Sequence, residues 1–217
     1  MFVVLALLTF AFFITLDVIV RRVQARRFAL AGLGVRDFRL PHGLFFHKGH
    51  TWANLEASGR MKVGVDDFAQ KVLGRFDRFK LREIGEAVKQ GEKIFSVEQG
   101  KRAAVFTSPV DGVIRSINGK VTEDPGVVKE HPYEAGWIYT IEPTNLANNV
   151  KRLASDKKAL SWLRNEMRKL RDFLAEQCLQ DKLVGQTLQD GGLPVEGLLE
   201  HMDDFTWKHF QEEFLVK

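Results

Sequence analysis

Lys101 is the residue of this chain best placed to do chemistry. It sits in Gln99-Gly100-Lys101-Arg102, between two apolar, β-branched stretches, Ile94-Phe95-Ser96-Val97-Glu98 and Ala103-Ala104-Val105-Phe106-Thr107. Two such stretches around a glycine-containing turn predict a β-hairpin. Gly100 supplies the backbone freedom that a tight turn needs. Lys101 then stands at the tip, its four-carbon stem and ammonium projecting into water. A lysine held this way can be modified by an enzyme or can carry a swinging group. The plain alternative is a solvated loop lysine, the ordinary fate of lysine.

Other chemistry is sparse. The chain has no phosphate-cradling glycine loop and no dinucleotide fingerprint. His47 and His50 stand three apart, but no second ligand pair lies near them in sequence, so no zinc site is expected. Ser96 and Ser108 lack a nucleophile elbow. Cys178 is the only cysteine, which excludes an internal disulfide, and it is expected as a small buried hydrophobe. No catalytic site built on this chain alone is expected.

The elements around the lysine follow from spacing. From Trp52 onward, short strands alternate with turn signals such as Ala57-Ser58-Gly59 and Asn118-Gly119. Asp66 to Leu73 predicts one short helix, capped by Asp66 or Asp67 and stopped by Gly74. Short strands at this spacing predict a mainly β sandwich or barrel. Trp52, Phe68, Phe95, Tyr133 and Trp137 are assigned to its core. After Pro143 the period changes. Leu153, Leu160, Met167 and Leu174 recur every seven residues, with Leu163 and Leu170 between them. They predict an amphipathic helix from about Val150 to Leu179, packed on its own barrel or on a partner helix. Gly191-Gly192 breaks the chain, and Pro194 suits the first turn of a short helix. Asp203 suits the cap of a last helix carrying Trp207, Phe210 and Phe214.

The segment Val97-Glu98-Gln99-Gly100-Lys101-Arg102-Ala103-Ala104, then Ser108-Pro109-Val110-Asp111-Gly112, resembles the lipoyl-lysine region of the glycine cleavage system H protein family. That family carries Val-Glu-Ser-Val-Lys-Ala-Ala, then Ala-Pro-Val-Ser-Gly. His50-Thr51-Trp52 resembles its His-Glu-Trp. Val63-Gly64-Val65-Asp66-Asp67-Phe68-Ala69-Gln70 and Leu73-Gly74 resemble its Val-Gly-Ile-Thr-Asp-Phe-Ala-Gln and Leu-Gly. Asn118, Pro125 and Pro132-Tyr133-Glu134-Ala135-Gly136-Trp137 continue the match, which spans about His47 to Pro143. The chain departs from the pattern at Gln99, Gly100 and Arg102, where Ser, Val and Ala are usual, and at Arg82, where a proline is usual.

The resemblance implies a flattened lipoyl-type barrel of two sheets with lipoate bound covalently to Lys101. Glu98 would help the lipoylating enzyme recognise the attachment site. His50 matches a position near the cleft that shelters the loaded arm, with a purely structural histidine as the alternative. The implied partners are the lipoylating enzyme, glycine decarboxylase, aminomethyltransferase and dihydrolipoyl dehydrogenase, or analogous enzymes.

Phe2 to Val20 is apolar apart from Thr9, Thr15 and Asp17, near the length of a bilayer-crossing helix. Arg21, Arg22, Arg26 and Arg27 follow it, which predicts a single-pass signal anchor with the N-terminus outside and the rest cytoplasmic. The formal net charge is +4, and the basic excess lies beside this run, where it suits an anionic membrane surface. The positive balance therefore does not point to nucleic acid. Four segments are expected: an anchor over 1–22, a basic connector over 23–46, an H protein-like domain over 47–143 and a helical extension over 144–217. The functional expectation is a membrane-tethered lipoyl carrier of an aminomethyl or other thiol-linked group. The alternative is a non-lipoylated structural subunit docked in a membrane-associated complex, with the C-terminal helix engaging a protein partner.

Overall fold

The computed structural model describes residues 12–17, 37–178 and 196–217. Most of the apolar run, the arginines that follow it, Gly191-Gly192, Pro194 and the Cys178 side chain lie outside the described residues. The expected membrane topology is corrected: among the described residues no helix is long and apolar enough to cross a membrane.

Among the described residues, nine strands form two antiparallel sheets. The larger contains β1 (Phe45–Phe46), β2 (Thr51–Leu55), β3 (Met61–Val65), β9 (Trp137–Pro143), β8 (Gly112–Ile117) and β5 (Ala87–Val88), in that order. The smaller contains β4 (Arg78–Leu81), β6 (Lys93–Gln99) and β7 (Arg102–Thr107). The mainly β expectation therefore holds, and C-terminal helices accompany it. Alternate residues point inward. Met61, Val63, Phe95, Val97, Phe106, Ile114, Tyr139 and Ile141 join one buried core. Trp52 is wholly buried, and its indole N–H is shared between the Val65 and Pro132 carbonyls, each at 3.0 Å. Phe68 and Phe95 are buried too, whereas Tyr133 and Trp137 are only half-buried.

The helix α1 (Asp67–Leu73) starts and stops at the expected residues. The Asp66 carboxylate accepts the Ala69 N–H at 2.8 Å, and Gly74 ends the helix at φ +87°. Two short helices, α2 (Gly119–Glu123) and α3 (Val127–Glu130), bridge β8 and β9. The long helix predicted after Pro143 is two helices, α4 (Leu146–Lys151) and α5 (Asp156–Cys178). The break comes from a pairing with a distant part of the chain. Phe46 and Ala154 exchange both backbone hydrogen bonds, at 2.7 and 2.8 Å, so the chain is extended there.

Ala159, Leu163, Met167, Leu170, Phe173 and Leu174 on α5 are buried against the chain's own core. Leu160 is 37% exposed, because a strict seven-residue repeat drifts around a straight helix. Last comes α6 (Asp204–Phe210), capped by Asp203 through the Thr206 N–H, and it runs into a π-helical turn, Gln211–Leu215.

Candidate functional site

β6 and β7 pair from Lys93↔Thr107 to Gln99↔Arg102, leaving Gly100 and Lys101 as the turn. Gly100 has φ +58°, in the left-handed region that a β-branched residue resists. Three bonds fix the tip from the side of the α1–β4 loop. Asp77 accepts the Gly100 N–H at 2.7 Å, and the Gln99 amide donates to the Leu73 and Arg75 carbonyls at 3.0 and 2.8 Å.

Arg102 fixes the tip from the other side. Its Nε donates to Asp204 at 2.7 Å, and its two terminal nitrogens donate to the Leu199 and Met202 carbonyls at 3.2 and 2.5 Å. The guanidinium also lies over the Trp207 ring, 5.5 Å from its centre. Gln99, Gly100 and Arg102, three departures from the family pattern, are thus the residues that tie the hairpin to its neighbours. The fourth has a use as well: the Arg82 N–H, which a proline would lack, donates to the Tyr139 hydroxyl at 2.7 Å.

Lys101 itself is exposed and makes no hydrogen bond or ion pair with the described residues. The tip is held by hydrogen bonds while the Lys101 side chain stands exposed. Glu98, three residues earlier on β6, is a quarter exposed and pairs with Lys80 at 2.6 Å and Arg78 at 3.9 Å. The Lys80 hydrogen bond holds its carboxyl below the usual range.

His50 stands elsewhere. The Thr51 hydroxyl bonds the Thr107 carbonyl, so His50 lies toward the end of β7 opposite Lys101, about 20 Å along the strand. It is wholly buried, with φ +59°. Its Nδ1 meets Asp66 at 2.8 Å, and its Nε2 lies 3.8 Å from Glu166 on α5. Phe68 stacks on one side of the ring at 4.4 Å and Trp162 approaches at 5.1 Å. Burial alone would lower its pKa. The Asp66 and Glu166 carboxylates outweigh burial and raise it to about 9. His47 behaves oppositely: burial, then Lys48 and the His50 charge, lower it to about 4. Among the described residues no group of three or more His, Cys, Asp or Glu could hold a metal ion.

Sequence reasoning thus located the hairpin and its lysine. It missed Arg75, Asp77, Glu200, Asp204 and Gln211, which hold or flank the hairpin. No local pattern marks them, because their partners lie far away in sequence.

Two packed antiparallel sheets thus display an exposed lysine on a clamped hairpin. The model of the family described as "Glycine cleavage H-protein" matches residues 44–166. A probable glycine cleavage system H protein of Pyrococcus abyssi is 34% identical over 60% of this chain and 97% of its own length. The glycine cleavage system H protein of Stenotrophomonas maltophilia is 35% identical over 58% of this chain and 96% of its own. A solved glycine cleavage system H protein from Mycobacterium marinum is 30% identical, covers 48% of this chain and 87% of its own, and has a TM-score of 0.46. This chain belongs to the glycine cleavage H-protein family. Its members are lipoyl carriers, not enzymes, and they work with the glycine cleavage enzymes. The match runs beyond β9 through α4 and into α5.

Proposed function

We propose that Lys101 bears lipoate in an amide bond and that the chain carries an aminomethyl group on it between the glycine cleavage enzymes. The observation that carries this reading is the free Lys101 side chain on a hairpin whose other polar groups are tied down. Lys101 supplies the tether. Gly100, Asp77 and Gln99 fix the point from which it swings, and Glu98 presents a carboxylate that the lipoylating enzyme can read. When bound, the lipoyl group supplies thiol/disulfide chemistry and a sulfur attachment point for the cargo. A tether keeps that group at a high effective concentration near successive partner sites. Glycine decarboxylase loads the carrier, aminomethyltransferase unloads it, and dihydrolipoyl dehydrogenase restores the disulfide.

His50 enters this reading as a structural residue. Its ring is sealed under Trp162 and Glu166, so it offers no surface to an arm. The test is intact mass and peptide mapping of protein from the native host. Lipoate on Lys101 is expected. A wholly unmodified Lys101, in cells whose other lipoyl proteins are loaded, overturns the carrier reading and leaves a non-lipoylated structural subunit.

A further inference from the structure

Lys101 lies at the lip of a cleft of about 360 Å³ with two walls. One wall is the hairpin, Gln99 to Arg102, with Arg75 beside it. The other is the C-terminal segment, through Glu200 and Asp204. This second wall lies outside the part of the chain that the family model matches.

The wall is fastened in several places. Gly197 and Leu199 donate backbone N–H groups to the Lys71 and Val72 carbonyls at 2.8 and 3.0 Å. Glu200 accepts the Arg75 N–H at 2.5 Å. Behind it Leu199, Phe210, Phe214 and Leu215 are buried in the main core. The wall is therefore a fixed part of the surface around Lys101. The Asp204 carboxylate stays 88% exposed although it pairs with Arg102.

We propose that the C-terminal wall is part of the recognition surface for the enzyme that acylates Lys101, with Glu200 and Asp204 read together with the hairpin. The inference rests on Lys101 being the attachment site. An acylating enzyme must enclose the Lys101 amine, and the cleft geometry puts the wall against any protein that does so. Glu200 and Asp204 stay exposed while bonding Arg75 and Arg102, so cationic or N–H-donating groups on the enzyme can reach both carboxylates.

The reaction needs only an activated acid, here a mixed anhydride with a nucleotide phosphate. The neutral Lys101 amine attacks the carbonyl carbon and a C–N bond forms. The C–O bond to the phosphate breaks, and the nucleotide leaves with that electron pair. The nitrogen loses one proton, and nothing is oxidised or reduced. Glu200 and Asp204 touch none of these atoms, so their effect falls on binding. Arg102 is a positioning residue that keeps the wall against the hairpin.

The test uses the full unmodified chain, lipoate, ATP and a purified lipoate ligase, with Lys101 acylation followed by intact mass at several chain concentrations. The double variant Glu200→Gln with Asp204→Asn keeps the acceptor oxygens for Arg75 and Arg102 and removes only the charges. The expected result is a KM for the chain raised about tenfold, with kcat within about twofold and amide exchange at 100–103 unchanged. Equal KM for wild type and variant overturns the inference and leaves the carrier reading standing. So does a fall in kcat at unchanged KM. Failure of wild type to be acylated, while another lipoyl domain in the same tube is loaded, overturns the carrier reading and this inference with it. Arg102→Ala is a second arm. It should raise KM at least as far and also speed exchange at 100–103, whereas an unchanged KM there counts against the wall.

Discussion

His50 Nδ1 lies 2.8 Å from Asp66 Oδ2, with both side chains sealed from solvent, while His47 three residues earlier is held neutral by burial. The two histidines oppose each other in pH. With its pKa raised from 6.5 to about 9, His50 stabilises fully below pH 6.5 and loses that contribution as pH rises toward 9. With its pKa lowered from 6.5 to about 4, His47 stabilises above pH 6.5 and loses that contribution as pH falls toward 4. Stability should peak near pH 6.5, with each limb on the order of 3 kcal/mol. Urea midpoints at pH 4.5, 6.5 and 9 measure this. His50→Gln should flatten the alkaline limb and also shallow the acid one, because the His50 charge is one of the causes that lower His47. A wild-type midpoint constant from pH 6.5 to 9 would remove the buried imidazolium.

Lys101→Arg should leave the fold intact, because the turn geometry depends on Gly100 and the strand pairing. A change at an exposed position of this kind costs within about 0.5 kcal/mol. Acylation should vanish, since arginine offers no comparable amine. A thermal melt and an intact-mass measurement on the same sample check both halves. A large drop in melting temperature would mean that the lysine holds the hairpin.

Gly100→Val restores the residue usual in the family but strains this turn. A Cβ at Gly100 meets no atom within 4 Å, so sterics against neighbours are not the obstacle. The cost comes from φ +58°, and a left-handed β-branched residue costs about 1–2 kcal/mol. Faster amide exchange around the tip, with the rest of the domain unaffected, is the expected signature. Unchanged exchange would show that the turn adopts another backbone form at no cost.

Leu163→Asp and Leu170→Asp should unfold the protein or cost more than about 3 kcal/mol, because both positions are buried in the chain's own core. Leu160→Asp, at a position 37% exposed, should cost less than about 1 kcal/mol. Denaturation curves of the three variants distinguish a helix packed on its own barrel from one reserved for a partner. Folded, monomer-stable Leu163→Asp protein would contradict the packing.

The sequence made some of this legible because the signals were local. Gly100 between two β-branched stretches fixed the hairpin, and Asp66, Gly74 and Asp203 each marked a helix end through a bond within a few residues. What sequence could not reveal was distance. Arg102 looked like a departure beside the lysine, yet the guanidinium's hydrogen-bond partners Leu199, Met202 and Asp204 are 97 to 102 residues away. The heptads predicted a helix but not which surface it covers, nor that Ala154 would interrupt it by pairing with Phe46. His50 was assigned by motif. Its position under α5 depends on Trp162 and Glu166, which no spacing near His50 announces.

The C-terminal segment also settles how the smaller sheet ends. β7 is its outermost strand, so one side of its backbone has no strand partner among the described residues. The Trp207 indole donates to the Ala103 carbonyl at 3.3 Å, and the Gln211 side chain accepts the Val105 N–H at 2.9 Å. These are groups that a strand from another molecule would otherwise pair with. Open strands of this kind template aggregation, and helices laid across them are one natural remedy. A chain shortened before Trp207 would therefore present an adhesive margin beside Lys101, and its concentrated solutions should self-associate through β7.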